Sequence, residues 1–71
     1  MMIEITDDVY TICFNCIDVT NFRYRYDSIE NDYRIMIDFG NSSDVLIFKD
    51  GQQYKNAINK IKKGLNDLWN N

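Results

Sequence analysis

The 71-residue chain contains no histidine and no proline, and it has only two cysteines and three glycines. Histidine is the side chain that most often serves as a general base near neutral pH, and it is absent. A structural zinc ion needs four ligands, which two cysteines without histidine do not complete. No serine or cysteine lies in the sequence setting of an activated nucleophile. We therefore expect a protein that is not an enzyme, with no catalytic residues, no metal site and no cofactor.

The scarcity of glycine and of long apolar runs excludes two further classes. Gly40, Gly51 and Gly64 are isolated and do not form the glycine-rich loop that cradles nucleotide phosphates. No apolar stretch approaches the ~20 residues that a membrane span requires. The segment 1–8 also lacks the basic region of a signal peptide. We therefore expect no membrane contact and a cytoplasmic location.

The two cysteines form the motif Cys-Phe-Asn-Cys at positions 13–16, a spacing that in other settings indicates zinc binding or thiol redox chemistry. The redox interpretation expects the pair at the N-terminus of a helix. Cys13 and Cys16 lie instead in a stretch of β-branched and aromatic residues. We predict two reduced, partly buried thiols, which suit a reducing cytosol.

Positive charge is scarce in the first fifty residues. The net charge is -3, and positions 1–50 contain ten acidic and four basic residues, a balance of −6. Positions 51–71 contain four lysines and one aspartate, a balance of +3. Because no overall positive field would attract a phosphate backbone, direct nucleic-acid binding is not expected. The folded molecule should have an acidic sheet side and a mildly basic helix.

Apolar residues are present in the proportion that a packed core needs. Hydrophobic residues make up 45% of the chain and aromatic residues 14%. The length is too short for two domains, so we predict one domain over residues 1–71. A core of this size supplies only about 3–5 kcal/mol, and small folds often gain further stability from a partner subunit. A homo-oligomer is therefore expected.

Alternation of apolar and polar residues predicts a series of short strands over about residues 1–49. The predicted strands are Met1–Ile5, Val9–Phe14 with an irregularity near Asn15 and Cys16, Val19–Tyr26, Tyr33–Phe39 and Val45–Lys49. The polar connection 27–32 and the glycine-containing turn 40–44 predict antiparallel hairpins. Because no proline is present to block an exposed sheet edge, the edges are left open to pairing.

An amphipathic helix is predicted over about residues 51–69. Its apolar face comprises Tyr54, Ala57, Ile58, Ile61, Leu65 and Leu68, and its solvent-compatible face comprises Lys55, Asn59, Lys62, Lys63 and Asn66. Asp50 is placed to cap the helix by accepting a hydrogen bond from the amide of Gln53. At Gly64 either the helix loosens or its backbone approaches another element closely. The expected fold is α+β: an antiparallel sheet of four to five short strands packed on one C-terminal amphipathic helix.

The candidate binding residues lie on the two central predicted strands and at the end of the chain. They are Arg23, Arg25, Arg34, Tyr24, Tyr26, Tyr33 and Trp69. In one interpretation the arginines lie on a solvated sheet face and pair with Asp38 or Asp18 across the strands. In the other they form a binding face for a protein or a small anionic molecule, since arginine and tyrosine are enriched at interface hot spots. Trp69 either covers the sheet or takes part in a dimer contact.

The hydrophobic pattern extends over nearly the whole chain. It comprises Val9-Tyr10-Thr11, Ile17, Val19, Phe22, Tyr24, Tyr33–Phe39, Val45–Phe48 and the helix start Tyr54-Lys55-Asn56-Ala57. This order resembles that of small proteins with a β-meander followed by a helix, which are common in phages and mobile elements of bacteria with AT-rich genomes. Among phage proteins of this size, the resemblance implies inhibitors of host antiviral defence, such as anti-CRISPR proteins, or proteins that sequester defence signalling nucleotides. It assigns no functional residue.

These observations leave three functional hypotheses. The first is a non-enzymatic interaction protein, phage-encoded and active in the host cytoplasm, that inhibits a host defence protein by stoichiometric binding. The second is a homodimer whose interface holds an anionic nucleotide between the arginines and the tyrosines. The third is a structural or regulatory phage protein.

Overall fold

The computed structural model describes residues 2–69 of the chain, except for the side chain of Trp69. The expected place of Met1 in the first strand and the expected contacts of the Trp69 side chain lie outside the described residues. The elements follow in the order β1 (Met2–Thr6), β2 (Thr11–Asn15), a short 3-10 turn (Cys16–Asp18), β3 (Asn21–Asp27), β4 (Asp32–Asp38), β5 (Ser43–Phe48) and α1 (Gly51–Trp69).

The strands form two antiparallel sheets, one of β1 with β2 and one in the order β3-β4-β5. The α+β class with a C-terminal helix is confirmed, but the expectation of a single sheet of four to five strands is wrong. The separation of the strands into two sheets results from the residues that follow β2. The Asn15 side chain accepts a hydrogen bond from the Ile17 N–H at 3.2 Å, so the chain turns into the 3-10 segment and does not continue into β3. No helix within residues 2–69 has the length and apolar character needed to traverse a bilayer.

Both sheets and the helix share one hydrophobic core. Its buried members are Ile3, Ile5, Phe14, Cys16, Ile35, Ile37, Leu46, Phe48, Ala57, Ile58, Ile61 and Leu65. Tyr54 and Leu68 are partly buried against it, so the predicted apolar face of the helix is confirmed. Full burial of a side chain such as Ile61 contributes about 1.5–3 kcal/mol, and these contacts hold α1 against both sheets.

The β3–β4 hairpin is closed by the carboxylate of Asp27. Its Oδ1 accepts hydrogen bonds from the backbone N–H groups of Ile29 at 3.0 Å and Glu30 at 3.1 Å. Asn31 adopts a φ of 59°, a left-handed conformation that asparagine tolerates better than most residues. The predicted polar loop between the two strands is confirmed, and Asp27 is the residue that shapes it.

Gly40 and Asp50 shape the two connections that follow β4: the turn to β5 and the start of α1. Gly40 has a φ of 86°, which a glycine adopts without steric cost, and it lies in the β4–β5 connection. The Oδ1 of Asp50 accepts a hydrogen bond from the Gln52 N–H at 2.8 Å. Asp50 therefore caps α1 as expected, but through the second amide of the helix and not through that of Gln53.

Gly64 allows α1 to pack closely against the first sheet. A Cβ atom at this position would lie 2.5 Å from Cδ1 of Ile3 and 2.7 Å from Sγ of Cys16. These distances are far below van der Waals contact, so a side chain at this position would force the buried side chains of Ile3 and Cys16 to shift. Of the two explanations offered by the sequence, close approach of the backbone is the correct one.

Candidate functional site

The two edges of the three-stranded sheet differ, and the edge formed by β5 is covered. The hairpin turn between β1 and β2 lies against it. Oδ2 of Asp7 accepts a hydrogen bond from the Ile47 N–H at 2.8 Å, and Oδ2 of Asp8 accepts one from the Lys49 N–H at 2.9 Å. The Asp8 N–H donates to the Ile47 carbonyl at 3.2 Å. Two carboxylates thus occupy the places that an additional strand would take.

Tyr10 completes this cover. Its hydroxyl donates a hydrogen bond to the Val45 carbonyl at 2.9 Å. Burial, together with the nearby carboxylates of Asp44 and Asp7, raises the pKa of Tyr10 above its ordinary value. The β5 edge is therefore unavailable to a partner strand over the length of this turn.

The opposite edge, formed by β3, is not covered by any other part of the chain that the structure describes. In an antiparallel ladder a residue directs its N–H and C=O to one side, and the side alternates along the strand. The Phe39 N–H donates to the Ser42 carbonyl. The backbone N–H and C=O groups of the odd-numbered residues of β4 therefore point toward β5, and those of the even-numbered residues point toward β3. With Arg25 paired to Arg34, the residues of β3 whose backbone groups point outward are Phe22, Tyr24 and Tyr26. Within residues 2–69, these outward N–H and C=O groups have no hydrogen-bond partner.

Aromatic side chains and one lysine flank the β3 edge on the side of the helix. Tyr24 and Tyr26 are 42% and 46% exposed, although they lie on the face that α1 covers elsewhere. The Nζ of Lys62 lies 5.1 Å from the centroid of the Tyr24 ring, a cation–π distance. This side of the edge is therefore apolar and carries positive charge.

Arginines flank the same edge on the outer side of the sheet. Arg23 and Arg25 have side chains that are 61% and 59% exposed. Arg23 lies 3.8 Å from the carboxylate of Asp38, as one interpretation of the sequence expected, and Arg25 lies 3.6 Å from that of Asp27. Such long, exposed ion pairs contribute little to stability and leave most guanidinium donors free for a ligand.

Arg34 is engaged more tightly than the other two arginines. Its Nε donates to Oδ1 of Asp32 at 2.9 Å and lies 3.6 Å from Oδ2 of Asp27. The hydrogen bond that Arg34 donates to Asp32 raises the pKa of Arg34. The structure thus places the three predicted arginines on one outer face, but Arg34 stabilises the hairpin and its side chain is only 26% exposed.

The predicted tyrosines lie on the opposite face of the sheet from the arginines. Tyr33 stacks on Tyr54 with ring centroids 4.7 Å apart and meets Tyr26 edge-on at 5.0 Å. It is thus part of the packing beneath α1. The arginines and tyrosines consequently do not form one continuous face. A ligand reaches both sets only across the β3 edge, where Tyr24 lies between Arg23 and Arg25.

A groove of about 700 Å³ adjoins the beginning of β3. Its lining residues are Val19, Thr20, Asn21, Phe22, Lys62, Lys63, Leu65 and Asn66. Valine, phenylalanine and leucine supply an apolar floor, and the two lysines add positive charge. The sequence placed Lys62 and Lys63 on the solvent face of the helix, so this groove was missed. The only signal for it was the basic balance of positions 51–71.

The two thiols have different environments. Cys16 is buried, with 1% of its surface exposed, and burial raises the pKa of its thiol. Cys13 is exposed, so the expectation that both are partly buried is wrong. Cys13 lies on the face of β2 opposite to buried Phe14, whereas Cys16 follows β2 in the buried part of the 3-10 turn. Among residues 2–69, no group of three or more cysteine, aspartate or glutamate side chains is arranged to hold a metal ion.

No protein-family model, curated protein or solved structure matches this chain. Its function is therefore inferred from the site defined above. We refer to the outward backbone groups of Phe22, Tyr24 and Tyr26, with the flanking Arg23 and Arg25, as the β3 edge. The adjoining cavity between β3 and α1 is the β3 groove.

Proposed function

We propose that this protein is a non-enzymatic interaction protein that binds another protein stoichiometrically through the β3 edge. The observation that supports the proposal is the difference between the two edges of one sheet. The β5 edge is covered by Asp7, Asp8 and Tyr10. At the β3 edge, by contrast, the described residues include no proline, no bulky cover and no hydrogen-bond partner for the outward backbone groups. An uncovered edge is a template for an additional strand, and soluble proteins usually protect it.

The composition of the β3 edge also supports binding. Tyrosine and arginine are the residues that most often dominate the energy of protein interfaces. Here Arg23, Tyr24, Arg25 and Tyr26 follow one another along the same edge strand and are each more than 40% exposed. The resemblance to small phage proteins implies what this binding does. The protein inhibits a larger partner, a component of host antiviral defence, by covering its surface.

The experiment compares a tagged wild-type chain with two substitutions at one residue. Tyr24→Pro removes an outward N–H without removing a hydrogen bond within the sheet, so the chain should still fold. Tyr24→Thr keeps this N–H and removes only the ring. We expect wild type to co-purify a partner in equimolar amount from its native host, Tyr24→Thr to retain part of it, and Tyr24→Pro to lose it. Circular dichroism verifies that each variant is folded. Equal recovery with Tyr24→Pro, or no equimolar partner with wild type, contradicts the proposal.

A second candidate function is supported by the β3 groove. Phe22 offers an aromatic surface for a base, and Lys62 and Lys63 offer charge for a phosphate. An anionic nucleotide bound there would be sequestered without being converted. Thermal shift against a panel of cyclic nucleotides tests this function, since a ligand at 100 times its Kd stabilises the fold by about 2.7 kcal/mol. Lys63→Gln should abolish the shift, and a panel without effect contradicts this function.

A further inference from the structure

We infer that the segment bound at the β3 edge is an extended acidic strand of another protein, with apolar side chains alternating with the acidic ones. This inference rests on the proposed function and specifies the chemistry of the partner. It follows from the charges on both sides of the edge, from the β3 groove beside it, and from the disadvantage of pairing with a second copy of the chain.

The first step concerns charge. The residues of an added strand point alternately to the outer face and to the helix side of the sheet. On the outer face they would lie beside Arg23 and Arg25, whose side chains are 61% and 59% exposed. The carboxylates that accompany these arginines are less accessible, at 33% for Asp38 and 11% for Asp27. The charge presented to an added strand is therefore positive, and glutamate or aspartate at alternate positions complements it.

The second step concerns the helix side. Residues pointing to this side would meet the exposed rings of Tyr24 and Tyr26 and, at one end of β3, the apolar floor of the β3 groove. Apolar or aromatic side chains fit these surfaces. Lys62 and Lys63 line the same groove, so a terminal acidic residue fits its rim. The complementary pattern is therefore acidic on one face of the strand and apolar on the other.

The third step concerns a second copy of this chain. Antiparallel pairing of two β3 edges with the greatest overlap places Tyr24 opposite Tyr24 and Arg23 opposite Arg25 of the other copy. Like charges directly opposite each other destabilise a sheet. Self-association through this edge is therefore less favourable than the binding of an acidic strand, and the free chain should leave the edge unpaired.

The test uses a synthetic peptide of about nine residues that alternates glutamate with isoleucine or phenylalanine, has a glutamate at the terminal helix-side position that meets Lys62 and Lys63 in the β3 groove, and has neutral ends. Two control peptides accompany it. One replaces every glutamate by lysine, and the other keeps the glutamates but carries N-methyl groups on alternate amides. Fluorescence anisotropy at low salt should give a Kd for the acidic peptide at least about tenfold lower than for either control, since each contrast removes interactions worth about 1.4 kcal/mol or more. Equal affinity for the acidic and the lysine peptide would overturn the inference.

Matched variants of the protein locate the site. Arg23→Gln and Lys62→Gln should each weaken binding of the acidic peptide several-fold. Lys60→Gln makes the same charge change on the other side of α1, where its Nζ donates to the Glu4 carbonyl, and should alter affinity less than about twofold. If Lys62→Gln and Lys60→Gln lose affinity for the acidic peptide equally, the peptide is attracted by the positive charge of the helix in general and not at the β3 edge, which would overturn the inference.

Hydrogen exchange reports the backbone contact directly. The amides of Phe22, Tyr24 and Tyr26 should exchange rapidly in the free protein and be protected by the acidic peptide. Protection of these amides without peptide, together with a dimeric mass, would mean that a second copy occupies the edge and would overturn the inference. If the peptides fail but Tyr24→Pro still abolishes capture of a partner, the proposed function stands and the acidic strand is excluded. If neither the acidic peptide nor a partner protein binds, both the proposed function and the inference are wrong.

Discussion

The carboxylate of Asp7 accepts a hydrogen bond from the backbone N–H of Ile47, forty residues away in the sequence. The same side chain accepts hydrogen bonds from the Val9 and Tyr10 N–H groups, each at 2.8 Å, and so closes the turn between β1 and β2. Asp7 is buried, with 8% of its surface exposed. One residue therefore shapes a local turn and fastens the first sheet to the edge of the second.

Replacing Asp7 by asparagine tests this role. The amide oxygen can keep the two turn hydrogen bonds, but the NH2 group would then face the Ile47 N–H, donor against donor. A hydrogen bond to a charged group contributes about 1.5–3 kcal/mol, so we expect Asp7→Asn to lower the free energy of unfolding by about 2 kcal/mol or more. Urea unfolding measures the loss.

Asp8→Asn is the matched control for this prediction. Asp8 is exposed and its side chain accepts a hydrogen bond from the Lys49 N–H, so its loss should cost less than about 1 kcal/mol. If the two variants are equally stable, the role assigned to Asp7 is wrong. Asp7→Asn should also aggregate more readily, because it loosens the cover of the β5 edge.

Gly64→Ala should destabilise the protein, contrary to the usual effect of this change in a helix. In an exposed helix the substitution stabilises by about 1 kcal/mol. Here the new methyl group would lie 2.5 Å from Cδ1 of Ile3 and 2.7 Å from Sγ of Cys16. Overpacking of a closely packed core costs about 1–3 kcal/mol, which exceeds the gain in propensity. Thermal unfolding should show a lower Tm.

A double-mutant cycle with Ile3→Val identifies the cause. Valine lacks the Cδ1 atom that the new methyl group would meet. Ile3→Val alone should destabilise by about 0.5–1.5 kcal/mol, but in the Gly64→Ala background it should cost less or restore stability. Strict additivity of the two changes would mean that Ile3 is not what excludes a side chain at position 64.

Periodicity predicted the elements of this fold because it reports a local property of the chain. The alternation around Tyr24 and the helical spacing from Tyr54 to Leu68 depend only on neighbouring residues, and both agree with the structure. The division into two sheets, by contrast, depends on contacts between residues far apart in the sequence. An aspartate in a turn has the same sequence signature whether its contacts stay within one hairpin, as at Asp27, or also reach a strand of the other sheet, as at Asp7.

The candidate site was predicted in part for the same reason. Because side chains alternate along a strand, Arg23 and Arg25 must lie on one face of β3 and Tyr24 and Tyr26 on the other, and the register agrees. It could not predict that β3 would be the uncovered edge, because strand order depends on contacts far apart in sequence. Lys62 is an ordinary solvent residue by helical spacing alone. It becomes part of the site only because α1 crosses the sheet beside Tyr24.

The two cysteines should react with disulfide reagents at very different rates. Cys13 is exposed, whereas Cys16 is buried against α1 and burial raises the pKa of its thiol. Since the thiolate is the reactive form, Ellman's reagent at pH 8 should label one thiol rapidly in the folded protein and both thiols in urea. Cys13→Ser should remove the rapid phase. Two thiols of equal rate in the folded protein would contradict the burial of Cys16.

The stability of the protein should fall in acid partly through Asp27. Hydrogen bonds from the Glu30 and Ile29 N–H groups, and then the charges of Arg34 and Arg25, lower the pKa of Asp27 below its ordinary value of 3.8, against the opposing effect of burial. A carboxyl group whose pKa is lower in the folded state than in the unfolded state binds fewer protons when folded. It therefore stabilises the fold above the unfolded pKa, and this contribution is lost as the pH falls through the folded pKa.

Asp27→Asn isolates this contribution, because asparagine keeps an acceptor oxygen for the turn but carries no charge that titrates. Wild type should be more stable than the variant at pH 6, and the difference should shrink as the pH falls below 3.8. Asp18→Asn, at an exposed position of the 3-10 turn, serves as the control and should follow the wild-type profile closely. Urea unfolding between pH 2 and pH 6 measures the three curves. A difference between wild type and Asp27→Asn that stays constant over this range would show that the Asp27 carboxylate gains nothing from its charge in the folded state.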